Sequence, residues 1–142
     1  MFRKEFATVI AKTGMIPAKD LRPLLQKKEN QRITEFQLLE FDFFDDFKFA
    51  KQVAENYEMT FLDLSQARIE EPILTLIRKS DVLKYRCIPI QKTAKFVSLA
   101  VYDPSVVDIK DDLQILFQHP VEFILTNLSS WKSLFDRLKE SF

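Results

Sequence analysis

A chain of 142 residues with one glycine, 21 Lys plus Arg and 21 Asp plus Glu excludes several chemistries at once. P-loops and dinucleotide fingerprints need at least two glycines, where backbone approaches phosphate or takes φ > 0, and Gly14 stands alone. The zero net charge gives no basic excess for nucleic acid or anionic lipid, and one cysteine (Cys87) with one histidine (His119) cannot complete a Cys/His zinc site or a disulfide.

In chain order, residues 2–13 carry Phe6, Val9 and Ile10 at helical spacing, with Gly14 as the C′ stop. Pro17 suits the first turn of a second helix whose apolar face is Leu21, Leu24 and Leu25, and Pro23 bends or delays it. Residues 27–32 are polar and charged and read as a solvated connection. Thr34 is the expected N-cap of a short helix through Phe36, Leu38 and Leu39. Asp42 is the expected cap of a longer one, with Asp45 in its first turn and Phe43, Phe47, Ala50, Ala54 and Tyr57 as its stripe.

From residue 60 the pattern changes. Residues 60–64 read as a strand, and Pro72 opens a helix bearing Ile73, Leu76 and Ile77. Ser80 caps a further turn through Val82 and Leu83. Residues 87–91 and 95–102 form a hairpin-length pair of strands. Asp103 is a turn residue before Pro104, and Ser105 caps a helix with Val106, Ile109, Leu113, Leu116 and Phe117 inward. A last strand covers 121–126, and a last helix from about residue 129 carries Trp131, Leu134, Phe135 and Leu138. The expected fold is α+β: a helical subdomain over residues 1–58 packed on a small α/β sandwich over 59–142, with about four short strands. No apolar run approaches the ~20 residues that span a bilayer, and residues 1–12 lack the features of a signal peptide.

Five phenylalanines crowd residues 41–49, too many for one helix face. Phe43 and Phe47 are assigned to the core, which leaves Phe41, Phe44 and Phe49, edged by Lys48 and Lys51, as the candidate partner-binding patch. The simpler alternative is that the preceding helix covers them. No catalytic, cofactor or metal residue is assigned: His119 reads as a loop residue, Cys87 as a buried small hydrophobe, and Asp108, Asp111 and Asp112 as a solvated helix start.

Three phrases carry a family resemblance. Gln52-Val53-Ala54-Glu55-Asn56 followed by Phe61-Leu62-Asp63-Leu64 resembles the helix and "F-x-D-L" strand in the N-terminal domain of type II secretion and type IV pilus assembly ATPases. Tyr85-Arg86-Cys87-Ile88-Pro89-Ile90 is similar to that family's arginine-led strand. Ala100-Val101-Tyr102-Asp103-Pro104 is similar to its "D-P" strand and turn. The resemblance spans roughly residues 6–138. It implies a non-catalytic, cytoplasmic module that sits ahead of an ATPase core and docks the motor onto a membrane-anchored scaffold protein, peripheral to the inner membrane through that partner.

Some members of the family bind cyclic di-GMP through two tandem motifs that open "R-L-G", carry a later glycine and close on glutamine. Here the first copy reads Glu5, Phe6, Ala7, then Gly14, then Lys28; the second reads Ile33, Thr34, Glu35, then Asp42, then Asn56. The arginines are missing and Glu5 would repel a dianion, so cyclic di-GMP is not expected as a partner. A sensor of that or another small effector, and a free-standing adaptor, remain the alternative functions.

Overall fold

The computed structural model describes residues 1–26 and 33–142; the connection expected over 27–32, with Lys28, lies outside them. Helix α1, Lys4–Thr13, buries Phe6, Val9 and Ile10 and stops at Gly14, whose φ of 69° is the left-handed conformation expected of a C′ glycine. Helix α2, Ala18–Leu25, starts after Pro17 and buries Leu21 and Leu24, while Leu25 stays exposed. A 3-10 segment, Thr34–Glu40, follows. Thr34 does not cap it: Ile33 holds the cap position, and the buried Thr34 hydroxyl has no hydrogen-bond partner among the described residues.

Helix α3 spans Asp46–Asn56, and its cap is Asp45, whose carboxylate accepts the Lys48 N–H at 3.0 Å. Asp42 lies outside the helix, and of the expected stripe only Ala50 and Ala54 are buried. The buried face is Phe49, Ala50, Val53 and Ala54, and Phe43 precedes the helix altogether.

Strand β1 is only Thr60–Phe61, extended by a bond from the Leu62 N–H to the Leu125 carbonyl. Helices α4, Glu71–Leu74, and α5, Lys79–Tyr85, lead into β2, Cys87–Lys92. Arg78, not Ser80, sits at the N-cap of α5. Strand β3, Val97–Val101, pairs antiparallel with β2 across a bulge between Pro89 and Gln91. After β3 the Asp103 carboxylate, rather than Ser105, caps a second 3-10 segment, Pro104–Ile109, by accepting the Ser105 N–H at 2.9 Å. That segment runs into α6, Lys110–Phe117. Strand β4, Val121–Leu125, and α7, Leu128–Leu138, complete the chain.

The fold is α+β, with a four-stranded mixed sheet of order β1-β4-β3-β2. β4 runs parallel to both β1 and β3. All five residues of β3 are buried, as a central strand requires. Trp131 of α7 packs on this strand, and its indole N–H donates to the Ala100 carbonyl at 2.9 Å. One apolar core runs from Phe6, Leu38 and Val53 through Leu99 and Leu125 to Trp131. No helix among the described residues is long and apolar enough to cross a membrane.

This topology gathers four chain segments at one edge of the sheet. The C-terminal ends of β1, β4 and β3 deliver Asp63, Thr126 with Asn127, and Tyr102 with Asp103. β2 runs the other way, so Arg86 at its start joins them.

Candidate functional site

The edge that carries Arg86, Tyr102, Asp103 and Asn127 is where open α/β sheets usually admit ligands. Here helical residues meet it through three polar clasps. In the first, the fully buried Glu35 receives the Tyr102 hydroxyl at 3.1 Å and the Arg86 Nε at 3.3 Å. Arg86 also donates to the Met1 carbonyl at 2.6 Å. It adopts φ 56°, the left-handed turn that ends α5 and aims its side chain inward. Burial works against its charge, but the neighbouring Tyr102 and Glu35 outweigh that and hold its pKa up. The Tyr102 phenol is pushed well above its ordinary value, first by burial and then by Glu35. A carboxylate and a guanidinium that neutralise each other in this way tie two elements together; they do not form a reactive pair.

In the second clasp Arg3, just before α1, meets the buried Asp103 at 2.9 Å. The third is Asp46 in the first turn of α3. One carboxylate oxygen accepts from the Asn127 amide at 2.9 Å, the Ser129 N–H at 2.9 Å and the Ser129 hydroxyl at 2.8 Å, capping α7 from another helix. Beside it the Ser130 hydroxyl lies 2.7 Å from the Asn127 side-chain Oδ1 and 2.9 Å from the Asp63 carboxylate. The backbone N–H of Ser65, its side chain and Ser130 together lower the Asp63 pKa.

A cleft of about 450 Å³ opens between the N-terminus of α1 and α5. Arg3, Lys4, Lys84 and Arg86 line it against the single carboxylate of Glu5.

The aromatic patch expected from Phe41, Phe44 and Phe49 does not form as such. Phe44 (8% exposed) and Phe49 (3%) are buried, with their rings 5.4 Å apart and Phe49 edge-on to Phe6. Phe43 (55%) and Phe47 (41%), assigned to the core, are the exposed rings. Capping at Asp45 instead of Asp42 leaves Phe43 outside the helix, and α3 turns Phe49 with Ala50, Val53 and Ala54 inward, where Phe49 packs on Phe6 and Phe44, so that Phe47 faces out. Phe41 is half-buried and stacks on Phe43 at 5.2 Å. Lys48 and Lys51 are exposed, and Lys51 lies 5.1 Å above the Phe47 ring, which meets Phe61 edge-on. The structure therefore joins Phe47 with Lys51 and separates both from Phe44 and Phe49.

His119 places Nε2 3.0 Å from the Thr93 carbonyl in the turn after α6. The Cys87 thiol is buried, and burial followed by the charge of Asp81 pushes its pKa up to about 12. Asp108, Asp111 and Asp112 are exposed, and no grouping of acidic, His or Cys side chains among the described residues could hold a metal. The sequence names Arg86 and Glu35 only as motif positions, and nothing in it assigns them, Asp46 or Asn127 to clasps between helices and sheet. The one local signal was that Glu35 shares the helical phase of the fully buried Leu38.

Of the tandem-motif positions, Phe6 is core, Gly14 ends α1, Glu5 faces the cleft, and Glu35, the second copy's glycine position, is committed to Arg86 and Tyr102.

A family model described as the MshEN domain matches residues 57–141. Among solved structures, MshE with cdg (cyclic di-GMP) superposes with a TM-score of 0.58 at 19% identity, covering 95% of this chain and 99% of that one. The N-terminal domain of XpsE gives 0.60 at 14% identity, covering 97% and 93%. No curated protein matches the chain. The MshE match corrects one expectation: a protein of this fold is solved with cyclic di-GMP, so two altered motifs do not remove that nucleotide from consideration.

Proposed function

This chain belongs to the MshEN-domain family, and from that premise we propose that it is a non-catalytic docking module that fixes a secretion or pilus ATPase to a membrane-anchored scaffold protein. The likeness to the N-terminal domain of XpsE and to MshE, rather than to an ATPase core, supports a role beside the motor. The observation that carries the reading is the outer face of α3, where Phe47 stands exposed beneath the Lys51 ammonium, with Lys48 beside it. Exposed aromatic rings are enriched in the buried centres of protein interfaces, and Phe47 is the ring that α3 offers outward. The direct test is binding of the whole chain to the cytoplasmic part of the scaffold. Saturable binding that Phe47→Ala with Lys51→Ala weakens about tenfold or more agrees with it, and an unchanged affinity sinks this face.

A second reading rests on the MshE structure with cyclic di-GMP and on the cleft at the start of α1. Because the second motif position is occupied by the Glu35 clasp, a cyclic dinucleotide would enter here. Lys4 and Lys84 would meet its phosphates and Glu5 would oppose them, while Arg3 and Arg86, paired with Asp103 and Glu35, form the cationic wall behind. Calorimetry with cyclic di-GMP separates the readings. Saturable heat that Lys4→Gln and Lys84→Gln abolish supports a sensor, and the absence of heat leaves docking alone.

A further inference from the structure

The zero net charge conceals a strong asymmetry. Residues 1–26 carry five Lys or Arg against two Asp or Glu, while residues 33–63 carry two against eight. The two segments present surfaces of matching chemistry. Between α1 and α2 lies an open groove of about 350 Å³ with a floor of Ala7, Ala11, Leu21 and Leu25, and Lys4 and Arg22 on its rim. Neither rim cation is in an ion pair among the described residues. The turn ahead of α3 offers the converse: the exposed Phe43 ring, stacked on Phe41 and flanked in the chain by the exposed residues Glu40, Asp42 and Asp45.

We propose that these surfaces dock on each other between two copies of the chain, the Phe43 turn of one copy seating in the α1–α2 groove of the next. An aromatic ring suits a floor of alanine and leucine that no described side chain fills, and the acidic rim meets a basic one. The two surfaces lie on different sides of α2. Ala18, Leu21, Arg22 and Leu25 face the groove, whereas Lys19, Pro23 and Leu24 border Phe41 and Glu40. One molecule therefore cannot satisfy its own groove with its own turn, and the contact is head-to-tail, building closed rings or open chains instead of a symmetric pair. This contact is separate from scaffold docking, which uses Phe47 and Lys51 on α3, so either can fail without the other.

Sedimentation of the whole chain across a dilution series tests the proposal. The average mass is expected to rise with concentration at low salt and to fall back as salt screens the rim charges. Lys4→Gln with Arg22→Gln closes the groove side; Asp42→Asn with Phe43→Ser closes the turn side. Each pair is expected to weaken association about tenfold or more. Mixed together, the two variants retain one intact groove and one intact turn and should form a one-to-one pair that grows no further, which also shows that both are folded. A chain that stays monomeric at every concentration in low salt overturns the proposal and leaves the groove to an acidic helix of another protein. Variants that associate as well as the parent, or a mixture that fails to pair, overturn it equally.

Discussion

The Nε of Arg86 stands 3.3 Å from a Glu35 carboxylate oxygen, a contact between residues 51 positions apart that fastens the helical layer to the edge of the sheet. Burying both charges is costly, so the intact pair adds little net stability, but breaking it strands one charge in the core. Arg86→Ala and Glu35→Ala are each expected to lower the unfolding free energy by about 3–5 kcal/mol. Glu35→Leu combined with Arg86→Met should lose far less than the sum. Urea midpoints check this; strictly additive losses would mean that the two side chains act independently.

High pH should loosen the same edge. The Cys87 pKa rises from an ordinary 9.0 to about 12 through burial and Asp81, and the Tyr102 phenol is raised above 10.0 through burial and Glu35. Above pH 9.0 the unfolded chain therefore gives up the Cys87 proton while the folded chain keeps it. With fewer protons on the unfolded state, stability is full below that pH and declines as pH climbs toward 12, by about 1.4 kcal/mol per unit for one group. Tyr102 adds a loss of the same sign from 10.0 upward. Cys87→Ala should flatten the profile between 9.0 and 10.0 and leave the Tyr102 decline above it. A parent profile that is flat above pH 9.0 would contradict the sealed environment of both groups.

Two aspartates three residues apart separate the observed start of α3 from the one its sequence suggests. Only Asp45 reaches a backbone N–H of the helix, that of Lys48. Asp45→Ala is expected to cost about 1 kcal/mol and Asp42→Ala close to nothing. Thermal unfolding of the two variants side by side decides it, and equal losses would restore Asp42 as a cap.

Local signals were legible where backbone geometry imposes them. Gly14 ends α1 in a left-handed conformation, φ 69°, that glycine adopts without strain, and the Asp103 turn before Pro104 is written in neighbouring residues. The hairpin of β2 and β3 and the apolar stripe of α7 follow from short-range periodicity. What stayed hidden depends on distant partners. β1 shrinks to Thr60–Phe61 because the ladder with β4 ends there, at a last bond from the Leu62 N–H, and Glu35 looks like any helical carboxylate until Arg86 and Tyr102 fold against it. The aromatic run is ambiguous for the same reason: Phe47 and Phe49 lie on different faces of α3, and only the packing of Phe49 on Phe6 and Phe44 decides which ring is buried, an exchange that no local signal fixes.

That exchange is open to a direct test on a single helix. Phe49 touches Phe6 and Phe44 in the core, so Phe49→Ala leaves a cavity and should cost about 3–5 kcal/mol. Phe47 is 41% exposed, and beyond its edge contact with Phe61 it loses mainly the Lys51 ammonium above it, so Phe47→Ala should cost well under half as much. Binding should rank the other way. If the outer face of α3 docks a scaffold, Phe47→Ala weakens the complex while the domain stays folded. Phe49→Ala, measured at a temperature where it remains folded, binds as the parent does. Urea melts and a scaffold titration on the same two preparations give both orders, and a destabilised Phe47→Ala beside an unaffected Phe49→Ala would return Phe47 to the core.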